Sequence, residues 1–308
     1  MKVVILGAGN VGATCAFELM RENFCNIFLI DVVEGLAEGK ALDLSQAAAS
    51  FDFTYRIEGG SDYAALEGAD VVVITAGKPR RPGMSRLDLI KENGGIVKSL
   101  VKEVKERCPQ SILIVVTNPL DLMVYLSFKV SQFPKGRIVG MGSLLDSFRF
   151  RYFLARKLGL NPFEVEGWVL GTHDRNMVPL FSTVRWRGFP LSFSEDEICE
   201  ISKKTKEGGA EIVSLLKTGS AFYAPGVSAA RLVKAVLRDE KTLLPAAIVL
   251  EGEYGFSGAV ISLPCIVGRN GVEKVVELPI SSREKELLQE SVEKFKENLK
   301  IVEEEVGY

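Results

Sequence analysis

The sequence predicts an α/β protein in two parts: a doubly wound parallel-sheet domain over residues 1–141, then a mixed α+β domain over residues 142–308. Three observations lead there. Short β-branched runs recur through the first part with helix-length stretches between them. Those runs are apolar throughout rather than alternating, the pattern of strands covered on both faces. Beyond Gly142 the rhythm changes to alternating strand-like runs and long amphipathic stretches. At 308 residues the chain also exceeds the roughly 100–200 residues of a single domain.

Taken in order, strands are expected at 3–6, 26–30, 71–75, 112–117 and 137–139, with helical patterns at 11–21 and 87–105. Strand and helix alternating in this way build a parallel sheet with helices on both faces. In the second part a helix is expected over 145–158, stopped by Gly159 and by the Asn161-Pro162 pair after it. Strand-like runs at 165–170 and 182–186 follow, then a helix over 195–216. The last element is a helix that starts with capping-box spacing, Ser281 with Glu284. Its Leu288, Val292, Phe295, Leu299 and Val302 form one apolar stripe.

Composition narrows the function. A formal net charge of −2 spreads no basic field for a nucleic acid to meet, although it allows a local cationic pocket for a small anion. No apolar run reaches membrane-spanning length, and the run after Met1-Lys2 closes at Gly7, too soon for a signal peptide. A cytoplasmic protein with no membrane partner is expected. The five cysteines, Cys15, Cys25, Cys108, Cys199 and Cys265, are scattered and include no Cys-x-x-Cys pair. They read as reduced thiols, with neither a disulfide framework nor a metal site.

The run Gly7-Ala8-Gly9-Asn10-Val11-Gly12 follows the first strand and opens the first helix. Glycines there permit a tight turn and the close approach of a pyrophosphate to the helix N-terminus, where unpaired N–H groups favour an anion. About 20 residues further on, the second strand ends in Asp31, a carboxylate that can accept from ribose hydroxyls and repel a 2′-phosphate. The expected cofactor is NAD rather than NADP.

A chemical centre is legible in three places. His173 is the only histidine in the chain and follows an apolar run, in Gly171-Thr172-His173. An imidazole titrates near neutrality, as a proton donor to a carbonyl must. Asp146 and Arg149, three residues apart, share one helix face. They form either a surface ion pair or a working pair, in which Asp146 steadies the imidazole and Arg149 grips a substrate carboxylate. Residues 76–86 hold Arg80, Arg81 and Arg86 among two prolines and two glycines after a strand. That is a solvated basic loop or a lid over an anionic substrate.

Together these residues resemble the lactate/malate dehydrogenase family, and the resemblance runs nearly end to end. It is carried by Gly7–Gly12, Asp31, the loop 75–89, Thr117-Asn118-Pro119-Leu120-Asp121, the stretch 145–151, His173 and the stretch 219–225. The resemblance implies that Arg86 polarises the substrate carbonyl and that Asn118 hydrogen-bonds near the carbonyl oxygen and the nicotinamide. Arg149 binds the C1 carboxylate, and His173 exchanges the proton with Asp146 as its partner. Thr75, Ala76, Gly77, Asn93 and Thr117 join the glycine turn, Asp31 and Asn118 as cofactor contacts.

Substrate choice in the family turns on the lid position six residues before the catalytic arginine, which here is Arg80. An arginine there implies a substrate with a second carboxylate, the malate/oxaloacetate pair rather than lactate/pyruvate, since an unpaired arginine against a methyl group is costly to desolvate. Ala221 and Pro225 resemble the malate-type lining of that pocket. The resemblance further implies a homodimer or homotetramer. One stretch departs from the family pattern: Asp174-Arg175 stands where Gly-Asp is usual, and Phe148 is bulkier than the small residue expected there. The rival readings are a lactate or other 2-hydroxyacid dehydrogenase, an NAD-dependent glycosidase and a noncatalytic NAD-binding protein.

Overall fold

The computed structural model describes residues 1–78 and 86–307, with the backbone alone of Arg86. Arg80 and Arg81 of the expected lid lie outside the described residues, as does the side chain of Arg86.

The first strand, β1 (Lys2–Leu6), is Lys-Val-Val-Ile-Leu, with all but the lysine buried. It is joined in a parallel sheet by β2 (Asn26–Ile30), β3 (Ile57–Gly60), β4 (Val71–Ile74), β5 (Ile112–Val115) and β6 (Ile138–Gly140). Their order is β6-β5-β4-β1-β2-β3. The winding reverses between β1 and β4, so the connections that leave their carboxyl ends diverge around a crevice. Helices α1 (Asn10–Glu22), α2 (Leu36–Ala48), α3 (Arg86–Arg107) and α4 (Leu120–Ser131) cover the sheet, α1 packing on α2 and α3 on α4.

The second part starts with α5 (Ser143–Leu158), which ends at Gly159 in the left-handed conformation. Next come the antiparallel strands β7 (Val165–Leu170), β8 (Val178–Trp186) and β9 (Phe189–Pro190) and the helix α6 (Glu195–Leu216). Phe150, Leu154, Val165, Val169, Val184 and Ile201 form a separate apolar cluster between these elements. The chain then returns to the first part. Helix α7 (Tyr223–Leu237) packs along α1. Strands β10 (Thr242–Glu251), β11 (Ser257–Gly268) and β12 (Gly271–Val275) extend the large sheet in antiparallel fashion, β10 joining β6 with Ala247 opposite Gly140. Among the described residues one nine-stranded sheet therefore runs through both parts. Helix α8 (Ser282–Glu305) closes the fold with its Ser281–Glu284 capping box formed and its apolar stripe buried.

Two expected strands end early. β4 stops at Ile74 and β5 at Val115, because Thr75 and Thr117 turn their hydroxyls onto backbone carbonyls beyond the ladder. Several elements had no expectation. β3 is half glycine, and α4 is apolar on nearly every face, so neither has the periodicity that marks a strand or a helix. β10 and β11 contain Pro245 and Pro264, which argue against central strands, yet the two sit opposite each other at one rung of the ladder.

Candidate active site

At the end of β1 the chain turns through Gly7 at φ +107°, a region that L side chains rarely enter. A Cβ on Gly12 would overlap the Gly7 carbonyl oxygen, so that glycine serves the packing of α1 on the turn. Gly9 differs, since a Cβ there would meet no protein atom within 4 Å. It is the N-cap of α1 and leaves the first turn, Asn10-Val11-Gly12, with no side-chain cap. Bare N–H groups beside an open approach suit an anion. Asp31, just past β2, accepts from the N–H groups of Ala8 (2.7 Å) and Val33 (3.0 Å), which ties the acid to the glycine turn. Amides for a pyrophosphate and a carboxylate for a ribose fit a dinucleotide.

The adjoining strand ends are cross-braced. Thr75 Oγ1 donates to the Gly7 carbonyl (2.9 Å) and Thr117 Oγ1 to that of Ala76 (2.7 Å). Asn93, 2% exposed, accepts from Lys78 N–H (2.7 Å) and donates to the carbonyls of Lys78 (3.2 Å) and Asn118 (2.7 Å). Its amide thus holds two crevice loops together through their backbones. A Cβ on Gly77 would lie 2.7 Å from the Thr117 methyl, so the loops meet closely. Asn118 leaves its own side chain exposed beside the crevice.

The chemical centre forms around Asp146, which is fully buried in the first turn of α5, where the helix dipole favours a negative charge. One oxygen meets His173 Nδ1 at 2.6 Å and the other meets an Arg149 guanidinium nitrogen at 3.2 Å. The pair on α5 is thus a buried ion pair that also bridges to the histidine. Burial lowers the proton affinity of the imidazole. The charge and hydrogen bond of Asp146, with a contribution from Asp121, outweigh burial and the opposing Arg149, so the His173 pKa is raised.

Sequence reasoning places Asp121 only as part of the Thr117–Asp121 run, with no role, and gives no sign of Gly209. Asp121, in the first turn of α4, accepts from the His173 backbone N–H at 2.7 Å. Burial pushes its carboxyl up to about 7. Its signals were its place in the Thr117–Asp121 run and its position as an acid opening an otherwise apolar helix. Gly208 and Gly209 of α6 lie against α5, and a Cβ on Gly209 would come 3.3 Å from an Arg149 guanidinium nitrogen. A residue that acts by having no side chain leaves little trace in a sequence. At the departure, Asp174 builds a turn. Its carboxylate accepts from Thr172 Oγ1 and from the backbone and side-chain N–H groups of Asn176, capping the turn without a left-handed residue, while Arg175 is exposed. Phe148 packs on the main core, and Pro225 is buried in the first turn of α7 with Ala221 half-buried before it. Among the described residues no group of His, Cys, Asp and Glu could hold a metal ion.

A parallel sheet of this order, with a glycine turn, an acid after β2 and a buried Asp–His pair across the crevice, defines the class of NAD-dependent dehydrogenases. Comparison with known proteins takes this further. The description "lactate/malate dehydrogenase, NAD binding domain" matches residues 1–140, and "lactate/malate dehydrogenase, alpha/beta C-terminal domain" matches residues 143–306. A malate dehydrogenase of Cytophaga hutchinsonii is 43% identical over 307 residues, 98% of each chain. The crystal structure of Cryptosporidium parvum malate dehydrogenase superposes with a TM-score of 0.95 at 41% identity, over 98% of this chain and 99% of that one. A lactate dehydrogenase from the same organism, complexed with lactic acid and nicotinamide adenine dinucleotide, superposes with a TM-score of 0.95 at 36% identity, over 98% of both chains. This chain belongs to the lactate/malate dehydrogenase family, and it is an NAD-dependent oxidoreductase of the malate dehydrogenase kind. Family membership sets the glycosidase reading aside.

Proposed function

We propose that His173, Asp146 and Arg149 carry the reversible oxidation of (S)-malate to oxaloacetate. The observation that carries this reading is the buried Asp146 carboxylate shared between His173 Nδ1 and Arg149. With Nδ1 committed to Asp146, the other ring nitrogen is left to take the proton from the malate hydroxyl and to return it to oxaloacetate. Bound NAD supplies the acceptor for the hydride. Arg149 presents its fork to the C1 carboxylate, Arg80 takes the second carboxylate, and Arg86 and Asn118 polarise the carbonyl oxygen. Gly7 to Gly12 hold the pyrophosphate and Asp31 the ribose, while Thr75, Ala76, Gly77, Asn93 and Thr117 shape the wall beside them. In this reading residues 1–141 form the cofactor half and residues 142–308 the substrate half. The enzyme works as a homodimer or homotetramer in the cytoplasm; among the described residues no helix is long and apolar enough to cross a membrane.

NADH oxidation with oxaloacetate and with pyruvate tests the reading. Oxaloacetate is the expected substrate, and Arg80→Gln should lower its kcat/KM by roughly 10²–10³-fold, the cost of one lost charge partner. Preference for pyruvate in the unaltered protein would replace the malate reading with a lactate one. Loss of activity on Arg81→Gln, with Arg80→Gln unaffected, would move the second-carboxylate role to Arg81.

A further inference from the structure

His173 is held at two places. Asp146 from α5 holds the ring, and Asp121 from α4 holds the backbone through the 2.7 Å bond to its N–H. Asp121 is 7% exposed, and its second carboxylate oxygen is buried with no hydrogen-bond partner among the described residues. A carboxylate used only as a fastener would be cheaper as an asparagine, whose oxygen accepts the same bond without a charge to desolvate. Among the described residues the charge has one strongly opposite neighbour, the imidazole. The charged groups acting on this pair are Asp146 and Arg149 from α5 and Asp174 from the turn after β7, and Asp174 in turn acts on Lys206 of α6 together with Glu290 of α8.

We propose that Asp121 is a positioning residue for the reaction: it anchors the backbone of His173 and adds its negative charge to that of Asp146 in stabilising the imidazolium. The inference rests on the reading of His173 as the proton carrier. Its consequence is a linked titration. A protonated ring favours ionised Asp121, and ionised Asp121 favours a protonated ring, so the two groups lose protons as a pair rather than independently. Burial places the Asp121 carboxyl near neutrality, where the linkage falls within the working range of the histidine.

Because the chain has one histidine, ¹⁵N-histidine labelling yields one backbone amide and one imidazole to follow by NMR. In the unaltered protein the His173 amide should show an inflection from Asp121 in addition to that of the ring. In Asp121→Asn the extra inflection should vanish and the ring midpoint should fall by about one unit, as expected for loss of a nearby charge. The high-pH limb of kcat/KM for oxaloacetate should move down with it, while kcat at low pH stays within about threefold of normal because the amide still accepts the His173 N–H. Asp121→Ala removes that acceptor and should lower kcat roughly 10–100-fold with KM little changed. A ring midpoint unmoved in Asp121→Asn would overturn the proposal. Should that variant fail to fold, a His173 amide that follows only the ring in the unaltered protein would overturn it equally. Near-normal turnover by His173→Asn would instead sink the proposed role of the histidine and leave the NMR result standing.

Discussion

At the scale of single residues, the chemical centre is set by how the Asp146 carboxylate divides its two oxygens. Asp146 gives one oxygen to His173 and the other to Arg149, so the proposed proton carrier and the proposed carboxylate grip are set by the same side chain. The sign of the pH dependence follows. Oxaloacetate reduction needs the imidazolium, so its kcat/KM should be high at low pH and fall as pH rises through the His173 pKa. Malate oxidation needs the neutral ring, and its kcat/KM should rise through the corresponding pKa. Asp146 raises the pKa despite burial, so the fall for oxaloacetate should lie above the usual histidine midpoint of about 6.5. Parallel pH profiles for the two directions would remove His173 from the proton path. His173, Asp146 and Arg149 could be picked out in the sequence because a lone histidine and an Asp-x-x-Arg step are conspicuous. Asp121 stood in the sequence only as the end of the Thr117–Asp121 run, and its role could not be read there, since it acts on a backbone N–H that comes from a residue far along the chain.

At the scale of elements, α6 shows how a helix can shape a site without offering a side chain to it. Replacing Gly209 with alanine puts a methyl 3.3–3.4 Å from the two terminal guanidinium nitrogens of Arg149, and the guanidinium must give by a few tenths of an ångström. We predict a rise in KM for oxaloacetate of roughly tenfold, since small misplacement of a clamp is costly. Gly208→Ala is the control. Its Cβ makes only ordinary contacts, with Phe153 at 3.5 Å and with the Arg149 Cδ at 3.7 Å, away from the guanidinium, so KM should stay near normal. Each substitution adds about 0.5–1 kcal/mol of intrinsic helix preference, so a Gly209→Ala protein that melts higher yet binds worse would separate the two effects. Equal KM values for both variants would leave α6 without a part in substrate binding. Helices with one polar face, such as α6 and α8, were legible from their periodicity. The helices α4 and α7, wrapped by protein on most sides, carry little polar contrast to read.

At the scale of the whole molecule, the chain divides by sequence pattern into two parts, yet its large sheet does not divide. Both tryptophans, Trp168 and Trp186, lie on β7 and β8 in the second part, far along the chain from the glycine turn and Asp31. They serve as reporters of coupling. NAD binding, whose contacts are proposed in the first part, should raise the melting temperature seen by tryptophan emission as much as that seen by far-ultraviolet circular dichroism. Two separate transitions, with only one moved by NAD, would show that the ladder does not tie the halves. The join itself is narrow: Gly140 faces Ala247, and a Cβ on Gly140 would lie 2.7 Å from the Ala247 methyl and 2.7 Å from a Val124 methyl. The two halves are therefore poor material for recombination. A chimaera that takes its cofactor half from one relative and its substrate half from another inherits this rung from two parents, and unless both supply small residues there the sheet must open between β10 and β6. Exchange of parts should succeed only in loops that leave the ladder intact, so the family's choice of substrate is best re-engineered one loop at a time.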